Sequence, residues 1–194
     1  MKEELARMAD LLYELGLLKR YRRTGWLVAG VRDPESIADH SFRAAAIAGV
    51  IAAMEGADPE RAAFMSLFHD TQETRVTDIP YLGKRYLKAA PNEQVTGEQV
   101  RDIPEAVARV IADAVSEYED NASLEAVCAR DADKLECLLQ AVEYREQGYQ
   151  NVQPWIDTSL AALKTTSARR LAEQALNTGS LEWVSRVLDG DREA

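Results

Sequence analysis

Apolar residues recur every three to four positions along most of this chain, and nowhere do apolar and polar residues alternate for more than a few positions. The first pattern marks one face of a helix, the second one face of a strand. A chain that carries only the first must bury its apolar surface by packing helix on helix. Leu5, Met8, Leu12, Leu15 and Leu18 predict a helix over residues 2–19. Lys19-Arg20-Tyr21-Arg22-Arg23 and Thr24-Gly25-Trp26 follow, and Gly25 and Gly30 predict a loop with turns there. Asp33-Pro34 opens a helix that runs to Glu55 and stops at Gly56. Asp58-Pro59 opens another over residues 60–74, and a short ordered segment is expected over 81–90. Later helices are expected over 103–118, over 124–147 behind the cap Ser123, from Pro154, over 166–177 and over 181–188. The charged end, 189–194, is expected to fray. The fold class is all-α, a single domain over 1–194 with seven to ten helices.

The 194 residues are 46% hydrophobic and 29% charged, enough for a core without disulfides. Cys128 and Cys137 fit small buried apolar positions better than a metal motif. The net charge of −10 repels a nucleic-acid polymer, though a local basic cluster or a metal can still bind a small phosphate ester. Residues 1–10 show no secretory pattern, and no stretch reaches the ~20 apolar residues of a membrane span. The expectation is a cytoplasmic protein that does not use a membrane.

Only two histidines are present, His40 and His69, and both lie in apolar helical segments. His69 follows Ala63-Phe64-Met65-Ser66-Leu67-Phe68 and precedes Asp70. Burying both ionisable groups without partners is costly, and a shared cation removes that cost. Asp39 stands beside His40 and can orient it. A fourth ligand is expected from Arg130-Asp131-Ala132-Asp133 in the long helix. Helical phase does not choose between the two aspartates, since Asp131 lies in phase with Leu124, Cys128, Leu135 and Leu138.

The order His40, His69-Asp70, Asp133 resembles the signature of the HD metal-dependent phosphohydrolases. Glu35-Ser36-Ile37-Ala38-Asp39-His40-Ser41, His69-Asp70-Thr71-Gln72-Glu73 with Asp78-Ile79-Pro80, and Ala132-Asp133-Lys134-Leu135-Glu136 resemble segments of its 5′-deoxynucleotidase branch. The resemblance covers about residues 5–150, with C-terminal helices over 154–188 expected to pack on that core. It selects Asp133 over Asp131. It implies an HD-type helical bundle, a divalent cation on His40, His69, Asp70 and Asp133, and a homodimer that hydrolyses deoxyribonucleoside 5′-monophosphates. It gives Glu73 a role near the attacking water and Asp78 a role at the sugar. Trp26 matches the aromatic residue of the phosphate loop. The family's nucleotidases carry Arg directly before that Trp, where this chain has Gly25, so Arg23 or Arg22 is expected to substitute. Lys84 is a further candidate for phosphate contact.

The chemistry is consistent with these residue types. Phosphoryl transfer depends mainly on positioning and charge, which a cation and arginines supply. Glu73 lies four residues after His69, so a continuing helix puts both on one face. Binuclear sites of this superfamily need more histidines, so one cation is expected. Mn, Co, Mg, Fe, Ni and Zn all suit the N/O donor set. The competing readings are a phosphohydrolase for another small ester or a nucleoside triphosphate, and a nucleotide sensor without catalysis. The retained Glu73 speaks against the sensor.

Overall fold

A computed structural model describes residues 2–190. The helix α1 (Lys2–Leu15) ends in a 3-10 turn, Gly16–Lys19. After it come α2 (Thr24–Val28), α3 (Ile37–Glu55), α4 (Pro59–Phe68), α5 (Glu73–Val76), α6 (Tyr81–Lys84) and α7 (Asn92–Gln99). The chain continues with α8 (Glu105–Asp120), α9 (Leu124–Glu146), a second 3-10 turn at Gln150–Val152, α10 (Gln153–Ala162), α11 (Thr166–Leu176) and α12 (Glu182–Gly190). No strand forms among the described residues; the one extended pairing is an isolated antiparallel bridge between Arg22 and Ser36.

The all-α expectation holds, and the helix count exceeds the seven to ten expected. The surplus is short: α2, α5 and α6 have five, four and four residues. Each is too short to show a period. The segment 24–26, expected as loop, is the first turn of α2. The ordered segment expected over 81–90 is helical only at Tyr81–Lys84. The helix α12 extends to Gly190, beyond the expected fraying point, and residues 191–194 lie outside the described residues.

The central packing is α3 against α4 and α9. Ala48 and Ala52 on α3, Ala62 on α4 and Ala126, Ala129, Ala132 and Ala141 on α9 are buried together in one core. Small side chains let helix axes approach closely, and Ile51, Met65 and Leu138 fill the space between them. By length and composition α3 could cross a membrane, with a mean hydropathy of 1.3, which the expectation of no such stretch overlooked. Seven of its residues are buried, and Ala48, Ile51 and Ala52 belong to this core. A smaller cluster of Leu11, Val100, Ile103 and Ile111 joins α1 to the α7–α8 region. Cys128 is buried and Cys137 half-buried, both as free thiols.

Candidate metal centre

Ser36 caps α3: its hydroxyl accepts the Asp39 N–H, while Asp39 Oδ2 accepts the Ser36 N–H and hydroxyl. The capping box fixes the first turn and places His40 at its end, fully buried. Asp39 therefore does not orient His40, as the sequence suggested. Glu136 does so from α9, with its Oε2 2.5 Å from His40 Nδ1.

The helix α4 stops at Phe68, and His69 is its C-terminal cap. Residues 69–72 form turns before α5 begins at Glu73. The continuous helix expected over 60–74 is broken at the His-Asp pair. His69 Nδ1 lies 2.6 Å from the Ser66 carbonyl, which can only accept, so that nitrogen carries the proton. The same logic at Glu136 assigns the His40 proton to Nδ1. When both rings are neutral, the two Nε2 atoms then present lone pairs to each other across 3.3 Å. Asp70 Oδ2 lies 3.1 Å from His69 Nε2 and 3.6 Å from His40 Nε2. Asp133 Oδ1 lies 3.3 Å from His40 Nε2 and 3.9 Å from His69 Nε2.

With both Nε2 atoms unprotonated, His40, His69 and Asp133 bring three acceptors within 4.8 Å of one another, and Asp70 Oδ2 lies beside both rings while also accepting from Arg23. A divalent cation fits this donor set, because it supplies the positive charge that facing lone pairs lack. Glu73 adds a second sign: its Oε2 is buried with no hydrogen-bond partner. Asp131, the alternative from helical phase, is turned away. Its carboxylate accepts the Lys164 and Thr165 N–H groups at 2.9 and 2.6 Å and the Thr165 hydroxyl at 2.7 Å.

The basic loop is delivered to this centre by backbone pairing. Arg23 N–H donates to the Glu35 carbonyl and Ile37 N–H to the Tyr21 carbonyl, so 21–23 runs along the start of α3. Arg23 Nη1 then reaches Asp70 Oδ2 at 3.0 Å. Burial would strip the guanidinium of its proton, but Asp70, Asp133, Asp78 and Glu73 hold its pKa well above the usual value. Arg22 points away and pairs with Asp33. Asp78 is tied to the same loop, since its Oδ2 accepts from Thr24 N–H at 2.5 Å and from Thr24 Oγ1 at 3.2 Å.

Burial pushes the Glu73 carboxyl up to about 9, reinforced by Asp70 and Asp78. Asp70 moves the other way: burial would raise it, but His69 and Arg23 hold it below the usual carboxylate range. With no cation bound, burial and Arg23 would lower the His40 pKa, but Glu136 and Asp133 outweigh them and raise it to about 10, so a cation takes Nε2 by displacing its proton.

Two expected contacts are not brought to the centre. Trp26 is 2% exposed, and its indole N–H donates to Glu35 Oε1 at 2.9 Å. Its ring packs edge-on against Tyr144 and tilted against Trp155, so it is a core residue that braces Glu35. Lys84 is exposed on α6. Gly25, the departure from the family's Arg, has a local cause: a Cβ there would lie 3.3 Å from Trp155 Nε1. Glu136 is the residue that sequence reasoning missed. Its signal was a lone charge amid Leu135, Cys137, Leu138 and Leu139.

Known proteins are similar to this chain in sequence and in fold. The profile of the family described as HD domain matches residues 15–175. The bovine 5′-deoxynucleotidase HDDC2 is 33% identical over 141 residues, which cover 72% of this chain and 68% of that protein. The human 5′-deoxynucleotidase HDDC2 is also 33% identical, over 72% of this chain and 69% of its own length. A solved structure described as a conserved hypothetical protein from Pyrococcus furiosus superposes with a TM-score of 0.71. It is 30% identical and covers 88% of this chain and 99% of its own. The match over residues 15–175 of the 194 shows that this chain belongs to the HD domain family.

Proposed function

We propose that this chain is a metal-dependent phosphomonoesterase that releases phosphate from deoxyribonucleoside 5′-monophosphates. The observation that carries this reading is the pair of imidazole Nε2 atoms 3.3 Å apart, flanked by Asp70 and Asp133 with Arg23 alongside. The relatives named 5′-deoxynucleotidases support the substrate class.

A divalent cation held by His40, His69, Asp70 and Asp133 supplies Lewis-acid charge to the phosphoryl oxygens. The cation is one of Mn, Co, Mg, Fe, Ni and Zn. Arg23 binds phosphate oxygens through its fork of N–H donors and balances the charge that spreads over them in the transition state. Glu73 takes the proton of the attacking water. Positive charge at the centre offsets Asp70 and Asp78, which returns Glu73 toward the ionised form that accepts a proton. Asp78, anchored through Oδ2 by Thr24, keeps Oδ1 for a sugar hydroxyl and disfavours ribose. The protein acts in the cytoplasm as a homodimer on small esters, and uses neither a nucleic-acid polymer nor a membrane.

A phosphate-release screen over all nucleoside monophosphates and simple sugar phosphates, with Mn, Co and Mg in turn, tests the proposal. The expected result is release from deoxyribonucleotides that stops with chelator and returns with cation. Turnover insensitive to chelator overturns the metal, and equal turnover of ribonucleotides or sugar phosphates overturns the substrate class.

A further inference from the structure

We infer that Glu136 and Arg43 are positioning residues of the centre, setting which nitrogen of His40 is free to hold the cation. The inference rests on the reading of His40 as a ligand. Neither residue belongs to the ligand set. Each lies three positions after a member of it, Arg43 after His40 on α3 and Glu136 after Asp133 on α9. The two helices are therefore cross-linked one turn beyond the centre.

Glu136 is completely buried, and both its oxygens are occupied. Oε2 faces His40 Nδ1 at 2.5 Å, and Oε1 accepts Arg43 Nε at 3.0 Å and Nη2 at 2.8 Å. Arg43 is fixed in turn by Glu143 Oε1 at 2.7 Å and Gln140 Oε1 at 2.9 Å. Glu35 is the other carboxylate near His40 Nδ1, but its Oε1 takes the Trp26 indole N–H. A carboxylate only accepts, so Glu136 requires a proton on Nδ1 and leaves the Nε2 lone pair for the centre. Metal-binding imidazoles are commonly oriented by an outer acceptor in this way. Here the outer acceptor is itself locked, because Arg43 fixes which oxygen faces the ring.

That lock makes Glu136→Gln informative although it preserves shape. Arg43 has only N–H groups to offer, so it claims the amide oxygen. The amide NH2 then turns to His40 and donates to Nδ1. The imidazole must carry its proton on Nε2, where it blocks the cation. Three measurements test this. Calorimetric titration with Zn or Mn gives the affinity, which is expected to fall about 10–100-fold in Glu136→Gln. Long-range nitrogen–proton correlation spectra of zinc-loaded wild type are expected to show His40 protonated on Nδ1. Spectra of the metal-free variant are expected to show it protonated on Nε2.

Arg43→Lys serves as the second variant, should Glu136→Gln fail to fold. It keeps the charge but loses the fork, and is expected to weaken zinc binding several-fold while His40 stays protonated on Nδ1. A merely structural role would lower thermal stability with and without metal and leave both affinity and tautomer unchanged. Affinity within twofold of wild type in both variants, or Nδ1 protonation in metal-free Glu136→Gln, overturns the inference. Failure of wild type itself to bind zinc or manganese overturns instead the reading of the centre.

Discussion

Asp131 and Asp133 stand two residues apart on α9 and serve opposite ends. Asp131 faces the start of α11, where it accepts two backbone N–H groups and the Thr165 hydroxyl. Asp133 faces His40 and His69. The amide hydrogens before Asp131 are permanent, so its charge is matched by the fold alone. Lys134 Nζ pairs with Asp133 Oδ2 at 2.7 Å, but the nitrogens before Oδ1 present lone pairs when unprotonated, so that oxygen needs a cation from outside. The work of a buried carboxylate is decided by whether its partners bring their own hydrogens.

The largest expected effect separates the two aspartates on the catalytic side. Asp133→Ala should reduce kcat/KM by more than the roughly 10–100-fold that loss of an outer partner costs. A cation at about 100 times its Kd should stabilise wild type by about 2.7 kcal/mol, and that increment should vanish in the variant. Thermal melts with and without Mn measure it, and a retained increment erases the contrast.

Asp131→Ala should do the converse. Two buried N–H groups lose their acceptor, at a cost of about 3 kcal/mol in stability. Turnover per folded molecule, measured well below the melting temperature, should stay within a factor of about two, because no partner of Asp131 touches the centre. Wild-type stability with lost turnover would reverse the assignment.

Asp78 combines both kinds of partner, with a backbone N–H on one oxygen and the proposed sugar on the other. Asp78→Ala should narrow the ratio of deoxyribonucleotide to ribonucleotide rates by about tenfold, the worth of one hydrogen bond. An unchanged ratio leaves Asp78 only its tie to Thr24.

Glu14 is a milder case of the Asp131 kind. Hydrogen bonds from Arg75, with Gln99 and Thr74, outweigh partial burial and lower its pKa from 4.5 to about 2. A pKa lowered by folding adds stability that is fully present above the unfolded value and lost as pH falls through the folded one. Glu14→Gln should therefore cost about 1 kcal/mol at neutral pH, after discounting for solvent screening, and nothing near pH 2. Urea melts at several pH values measure it; a gap that widens toward low pH contradicts the assignment.

Much of this was legible in the residues. Asp58 and Ser123 announced the starts of α4 and α9, and each side chain accepts from the first turn it caps. The helix α3, expected from Asp33-Pro34, begins instead at Ile37 behind the cap Ser36. The centre was legible because histidine is rare here and both copies sit among apolar neighbours. The misreadings share one physical cause, that partners distant in sequence decide between local alternatives. Asp39 and Glu136 were equally able to serve His40 until α9 packed on α3. Asp131 was in phase with the core because its partners, 33 and 34 residues away, are part of that core. The break of α4 at His69 left no period to detect, since turns and helix share nearly the same backbone angles there.

The close approach of Trp155 to Gly25 has a historical corollary. A side chain at position 25 requires the indole of α10 to yield a few tenths of an ångström, so its cost is set by residue 155. Shrinking residue 155 lowers that cost, whereas the reverse order passes through a crowded intermediate. Positions 25 and 155, 130 residues apart, are therefore epistatic. The C-terminal helices thus bear on what the basic loop can carry, although they hold no residue of the centre.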